Sequence, residues 1–306
     1  MKFFKKWYTY QKERFPVLMF GLYIFSIVFA VFCFCNYVGE INYEELLKTA
    51  VFIQEPGPYT IDYIKLIPMF IVAFLQFLMV RITDEFKDYE EDCKYRPYRP
   101  VPRGLITLKE LKVLFIICVI LQLLITLWIN PKGIFLLIVV WIFFFIMSKG
   151  FFIKKFLDKH ILIEVFLDEL LLPLLMLYLS SFIYYIDYSN IWKLLLMGYI
   201  ISCIVEVARK VRCKEDEETG VKTYTAVFGI KRAILILFVL ETLLMIIQTV
   251  ILGKAYLRFT IAIYVLVNLI NLLFVIKQSK KFAKLTELSA NMYIFIVYLS
   301  LGVLIL

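Results

Sequence analysis

Three aspartates recur at intervals of four, Asp84, Asp88 and Asp92, within the stretch RITDEFKDYEEDCKYRPYRPVPRGLI at residues 81–106. On a continuing helix this spacing puts all three carboxylates on one face, where they repel one another. Each acidic i,i+4 pair costs about 0.2–0.5 kcal/mol in an isolated helix, so the arrangement calls either for full solvation or for a cation held between the side chains. Mg²⁺ suits such a site, because it takes a few carboxylate oxygens and completes its shell with water and phosphate oxygens. The plainer alternative is a solvated helix end whose acids pair with Lys87 and Lys94. After Asp92 the prolines Pro97, Pro100 and Pro102 forbid helix continuation, while Arg96, Arg99 and Arg103 offer guanidinium forks matched to phosphate oxygens. Contact with lipid at the inner surface would account for these arginines, but not for the carboxylates beside them.

A second cluster lies far along the chain, in SCIVEVARKVRCKEDEETGVKTYTAVFG at residues 202–229. Glu206 shares a helical face with Lys210 and, if the helix persists, with Glu217, whereas Arg209 and Asp216 fall on a neighbouring face. The same alternation also reads as a salt-bridged helix end. Between the clusters, IEVFLDELLLPLL places Glu164 and Asp168 one turn apart inside an apolar run. A charge at mid-membrane costs at least about 2.5 kcal/mol unless it faces a cavity or a partner. Either these acids are functional, or the span begins later and Glu164 pairs at the interface with Lys155 or Lys159.

The elements that must hold these groups are membrane spans. Of 306 residues 62% are hydrophobic and only 19% charged, and apolar runs of about 18 or more residues are long enough to cross a bilayer core. Nine runs are read, at 15–37, 61–82, 108–129, 133–147, 161–184, 191–208, 233–252, 257–276 and 288–306. The expected fold is therefore an all-α integral membrane protein, a single domain over residues 1–306 built from about nine transmembrane helices. Residues 1–14 form a basic segment suited to lie on the inner leaflet. Placing that basic terminus in the cytoplasm puts residues 81–109, 149–160, 209–232 and 277–284, all strongly basic, on the same side, as the positive-inside rule asks. The net charge of +9 then reflects orientation and gives no reason to invoke nucleic acid. The single histidine, His160, and the scattered cysteines exclude a zinc cluster, and no phosphate-binding glycine loop or nucleophile elbow is present.

The order of Asp84, Asp88 and Asp92, then RPYRPVPRG, then GVKTYTAVFG after the sixth of nine runs, resembles the UbiA superfamily of intramembrane prenyltransferases. In that family the usual pattern is Asn-x-x-x-Asp-x-x-x-Asp followed by an Arg-Pro and Pro-x-Gly segment. Here Asp84 stands in place of the asparagine, Asp88 and Asp92 match, and so do Arg99, Pro100, Pro102 and Gly104. Relatives carry a second pair of aspartates four apart; counting back from Gly220, Asp216 fits and Arg212 does not, while Glu206, Glu215, Glu217 and Glu218 are nearby acids that could compensate.

The resemblance implies a helical bundle around a lipid-open apolar chamber under cytoplasmic cap loops. It implies Mg²⁺ held by Asp84, Asp88, Asp92, Glu206, Asp216 and Glu217 and an isoprenyl diphosphate bound by Arg99, Arg209, Lys210 and Lys222; Glu164 and Asp168, the acids inside the apolar run, are the candidate catalytic groups, orienting an acceptor or acting as a base that quenches the cation. The expected reaction is ionisation of the diphosphate and transfer of the prenyl group to an aromatic or lipid acceptor within the membrane. A terpene cyclase of the same superfamily, in which the substrate's own double bonds attack the cation, is the alternative, and the departure at Arg212 keeps it open. A transporter would require acids near the membrane midplane and repeat symmetry, which the sequence does not display.

Overall fold

The structure is a computed structural model that describes residues 2–49, 60–183, 188–217 and 223–305, and every regular element among these residues is helical. The elements are α1 (Lys2–Arg14), α2 (Val17–Thr49), α3 (Leu66–Lys87), α4 (Tyr89–Tyr95), α5 (Leu108–Ile129), α6 (Ile134–Ser148), α7 (Lys154–Leu157) and α8 (Ile161–Asp168), followed by α9 (Leu171–Ser180), α10 (Tyr188–Arg209), α11 (Tyr224–Phe228), α12 (Ile230–Leu252), α13 (Leu257–Lys277) and α14 (Lys280–Ile305). Among the described residues eight helices are long and apolar enough to cross a membrane. The chain is an integral, multi-pass membrane protein.

The expected fifth span is divided into two helices, α8 and α9. Pro173 lacks an amide hydrogen and cannot bond the carbonyl of Glu169, so the helix opens there into α8 and α9. Within a bilayer the freed carbonyl must find another donor. Ser202 Oγ of α10 supplies it at 3.2 Å, and Tyr199 Oη donates to the Phe166 carbonyl at 2.9 Å. The pair still runs the length of the bundle: α8 begins beside the aspartate end of α3, and the far end of α9 meets the far end of α5 through Tyr178 and Thr126 (2.5 Å) and through Asn130 and the Ser181 carbonyl.

Nine elements close into a ring. In order, α2, α3, α5, α6, α9, α10, α12, α13 and α14 each pack against the next, and α14 returns to α2. The return contact is tight, since a β-carbon on Gly302 would sit 2.1 Å from the Phe29 ring. Small residues allow this approach where lipid supplies no hydrophobic force to drive helices together. The N-terminal helix does not simply float on lipid. Trp7 and Tyr10 pack against Val101, Ile106 and Leu111, while Lys6 pairs with Glu110 and Glu13 accepts from Arg103 at 2.8 Å. Pro16 then turns the chain into α2.

Candidate functional site

A cavity of about 680 Å³ opens at the end of the ring where α1, α4, α7 and the loops after α10 gather. Its upper half is polar. Asp84, Asp88, Glu91, Glu164, Asp168 and Glu206 line it, as do Arg81, Lys87, Arg99, Lys154, Arg209 and Lys210. Deeper, the wall turns apolar and aromatic, with Phe20, Tyr23, Phe77, Val80, Leu171, Leu172 and Leu175. Two stretches more than 100 residues apart in sequence thus face one space.

The three aspartates do not share one uninterrupted helical face. At Asp88 the backbone leaves helical geometry (φ −95°, ψ 3°), and α4 sets off in a new direction although the amides of Asp88 and Asp92 still bond the carbonyls four residues back, at 2.9 and 2.8 Å. Asp92 is drawn inward to 3% exposure. Both of its oxygens accept from Arg99 Nη1, at 2.7 and 2.6 Å, with Arg96 and Arg14 at 3.8 and 3.9 Å. Asp92 borders the cavity as Asp84 and Asp88 do, but its oxygens are engaged by Arg99, which leaves Asp84 and Asp88 as the carboxylates of the first motif not tied to that arginine. Burial pushes the Asp88 carboxyl above its ordinary value, Asp92 pushes it further, and Lys87, Arg99 and Arg14 pull it back.

The second cluster divides in the same way. Glu206 accepts from Arg209 Nη2 at 2.5 Å and pairs with Lys210 Nζ at 2.6 Å, so it holds two bases against the cavity wall. The helix stops at Arg209, so the condition under which Glu217 would share the Glu206 face is not met. Glu217 accepts hydrogen bonds from Thr223 (2.7 Å) and Thr225 (2.8 Å), and Asp216 pairs with Lys280 at the start of α14. Neither Asp216 nor Glu217 lines the chamber; both stitch the loop after α10 to its neighbours. Lys222 and Glu218 lie outside the described residues. Glu164 and Asp168 do line the cavity, on the last turns before the α8–α9 break.

Three lining residues, and the buried Glu85 behind them, escape a reading based on acid spacing alone. Glu169, in the break itself, borders the chamber. Glu85, next to Asp84, is 2% exposed and accepts from Arg14 Nε at 2.5 Å and Arg81 Nη2 at 2.8 Å. Through it Arg14 of the N-terminal helix reaches the cavity wall. Gln76, two turns before Asp84, is the remaining one, and its polar side chain within an apolar span was the available signal.

Residues 49–299 match the model of the UbiA prenyltransferase family. The chain belongs to that family. A search of curated protein sequences finds no match. Among solved structures, one from a study of digeranylgeranylglyceryl phosphate synthase in membranes superposes with a TM-score of 0.62 at 21% identity, covering 98% of this chain and 99% of that one. A ligand-free UbiA homologue from Aeropyrum pernix K1 gives 0.58 at 14% identity, covering 91% and 94%. At these identities the likeness concerns the fold.

The UbiA family generally uses a divalent metal with diphosphate substrates. The donor set here is of the right class, since Asp84, Asp88, Glu91 and Asp168 all present hard carboxylate oxygens to one cavity. Among the described residues no three acids converge into a ready metal cage.

Proposed function

We propose that this UbiA-family protein ionises an isoprenyl diphosphate with Mg²⁺ and transfers the prenyl group to an aromatic or lipid acceptor within the membrane. The observation that carries the reading is the single cavity joining an end rich in acids and bases to an apolar, aromatic wall. Asp84 and Asp88 are the residues that would hold Mg²⁺, which neutralises charge developing on the departing diphosphate. Arg99, fixed by Asp92, and Arg209 and Lys210, fixed by Glu206, donate to the diphosphate oxygens. As the C1–O bond breaks, the electron pair leaves with the diphosphate, and the allylic cation is sheltered from water among Phe20, Tyr23 and Phe77, whose ring faces stabilise positive charge. The acceptor's nucleophilic atom then bonds to C1, and Asp168 or Glu164 takes the proton it gives up. The loop charges support a cytoplasmic position for the aspartate end and the N-terminus.

The test is to incubate the purified protein in lipid with Mg²⁺ and allylic diphosphates of several chain lengths, with and without aromatic or dialkylglycerol acceptors, and to analyse the extract by mass spectrometry. Prenylated acceptor formed by the wild type and absent from Asp88→Ala is the expected outcome. A cyclic hydrocarbon or terpene alcohol formed without acceptor would overturn the reading in favour of a cyclase.

A further inference from the structure

Gln76 borders the chamber, is 1% exposed, and its Nε2 has no hydrogen-bond partner. Its neighbours settle which way its amide is turned. Gln122 Nε2 donates to the Val72 carbonyl at 2.8 Å, and Gln122 Oε1 accepts from Trp141 Nε1 at 2.9 Å. A carbonyl can only accept and an indole N–H can only donate, so the two contacts agree on the orientation of the Gln122 amide. Its remaining amide hydrogen points to Gln76 Oε1 at 3.3 Å, which commits that oxygen as an acceptor and leaves the Gln76 nitrogen as a donor with nothing to give to. A buried donor left unmade is expensive, and this one is held in place by a chain of bonds across α3, α5 and α6.

Position narrows what satisfies it. Gln76 stands eight residues before Asp84 on the same helix, about 12 Å deeper into the bundle at 1.5 Å per residue, among Phe77, Leu172 and Leu175. An isoprenyl diphosphate carries all its oxygen at the phosphate end, so with that end at Asp84 it brings only hydrocarbon to this depth. We infer that Gln76 is a specificity-determining residue whose amide donates a hydrogen bond to a neutral oxygen (carbonyl, hydroxyl or ether) of the second, lipid-borne substrate. The inference rests on the reading above that the chamber admits an acceptor.

The experiment compares binding, by native mass spectrometry of the full chain, of two matched probe pairs: a dialkylglycerol against a branched alkane of equal carbon count, and a long-chain alkylphenol against the alkylbenzene. Wild type is expected to prefer the oxygenated member of at least one pair, and Gln76→Met to reduce that preference about tenfold, the size of one well-placed hydrogen bond to a buried group. The variant's thermal shift with Mg²⁺ and inorganic pyrophosphate should equal that of wild type, showing an intact polar end. Gln122→Met, which removes the orienting partner and leaves the lining untouched, should lower the preference by a smaller factor and keeps the test open if Gln76→Met does not fold. Acceptor prenylation with a preference unchanged in both variants would overturn the role of Gln76 alone. Oxygen-selective binding lost in the variants, in a protein that transfers no prenyl group, would uphold the binding role and overturn the transferase reading.

Discussion

Asp216 and Asp88 look alike in the sequence, each an acid in a charged stretch after an apolar span, but their surroundings assign them different work. The hydrogen bond from Lys280 holds the Asp216 carboxyl below its ordinary value, and its side chain lies off the chamber. Such an acid binds fewer protons in the folded protein than in the unfolded chain. Its contribution to stability is therefore present above the unfolded value of about 4 and is lost as pH falls through the depressed folded value. Asp216→Asn should leave prenyl transfer near the wild-type rate while lowering the melting temperature slightly at neutral pH, and the two melting curves should converge on acidification. Because the pair is exposed, added salt should shrink the difference. A collapse of activity in Asp216→Asn, comparable to that in Asp88→Ala, would return Asp216 to the site. The resemblance implied that the two acidic motifs face one chamber, and Asp84, Asp88, Asp92 and Glu206 do line it; Glu164 and Asp168 were marked by their cost inside an apolar run, and they line it as well. Asp216 and Glu217, which the resemblance implied as metal ligands, do not line the chamber, and spacing alone could not show that the helix stops at Arg209.

The elements divide into those announced by local chemistry and those set by distant partners. Apolar length gave the spans, and Pro173 carried the signal for the α8–α9 break. The kink at Asp88 has no proline or glycine to announce it; it accompanies the capture of Asp92 by Arg99 across a loop. The docking of α1 was also hidden, since Arg14 and Glu85 are 71 residues apart. This docking makes a strong demand on Glu85. Its side chain is 1% exposed between Arg14 and Arg81, themselves only 10% and 19% exposed. Removing one member of a buried ion cluster typically costs about 3–5 kcal/mol, because the remaining charges lose their partner. Glu85→Leu should destabilise the protein by about that much in denaturant titrations and weaken pyrophosphate binding as Arg14 drifts from the wall. Arg14→Met combined with Glu85→Leu should cost less than the sum of the two single changes. Strict additivity would mean that α1 is held by its apolar contacts and not by this cluster.

At the scale of the whole molecule, the ring of nine elements concentrates nearly all the chemistry at one end and leaves the rest of the chamber as a container. The membrane class and the gathering of the basic loops at one end were legible, because bilayer thickness and loop charge constrain every sequence alike. The chamber's depth was not legible, because it depends on how α3 and α9 lean together around the break. Under the proposed function that depth limits substrate length, and the limit can be altered without touching the polar end. Leu172, on the first turn of α9, lines the apolar half and is 8% exposed, so Leu172→Trp would extend an indole into space now open to a hydrocarbon chain. Turnover of the longest allylic diphosphates should fall about tenfold or more, whereas the shortest should react at near the wild-type rate and Mg²⁺–pyrophosphate binding should not change. A uniform loss across all chain lengths, with pyrophosphate binding preserved, would mean that the prenyl chain leaves the chamber by another route, between the helices and into the lipid.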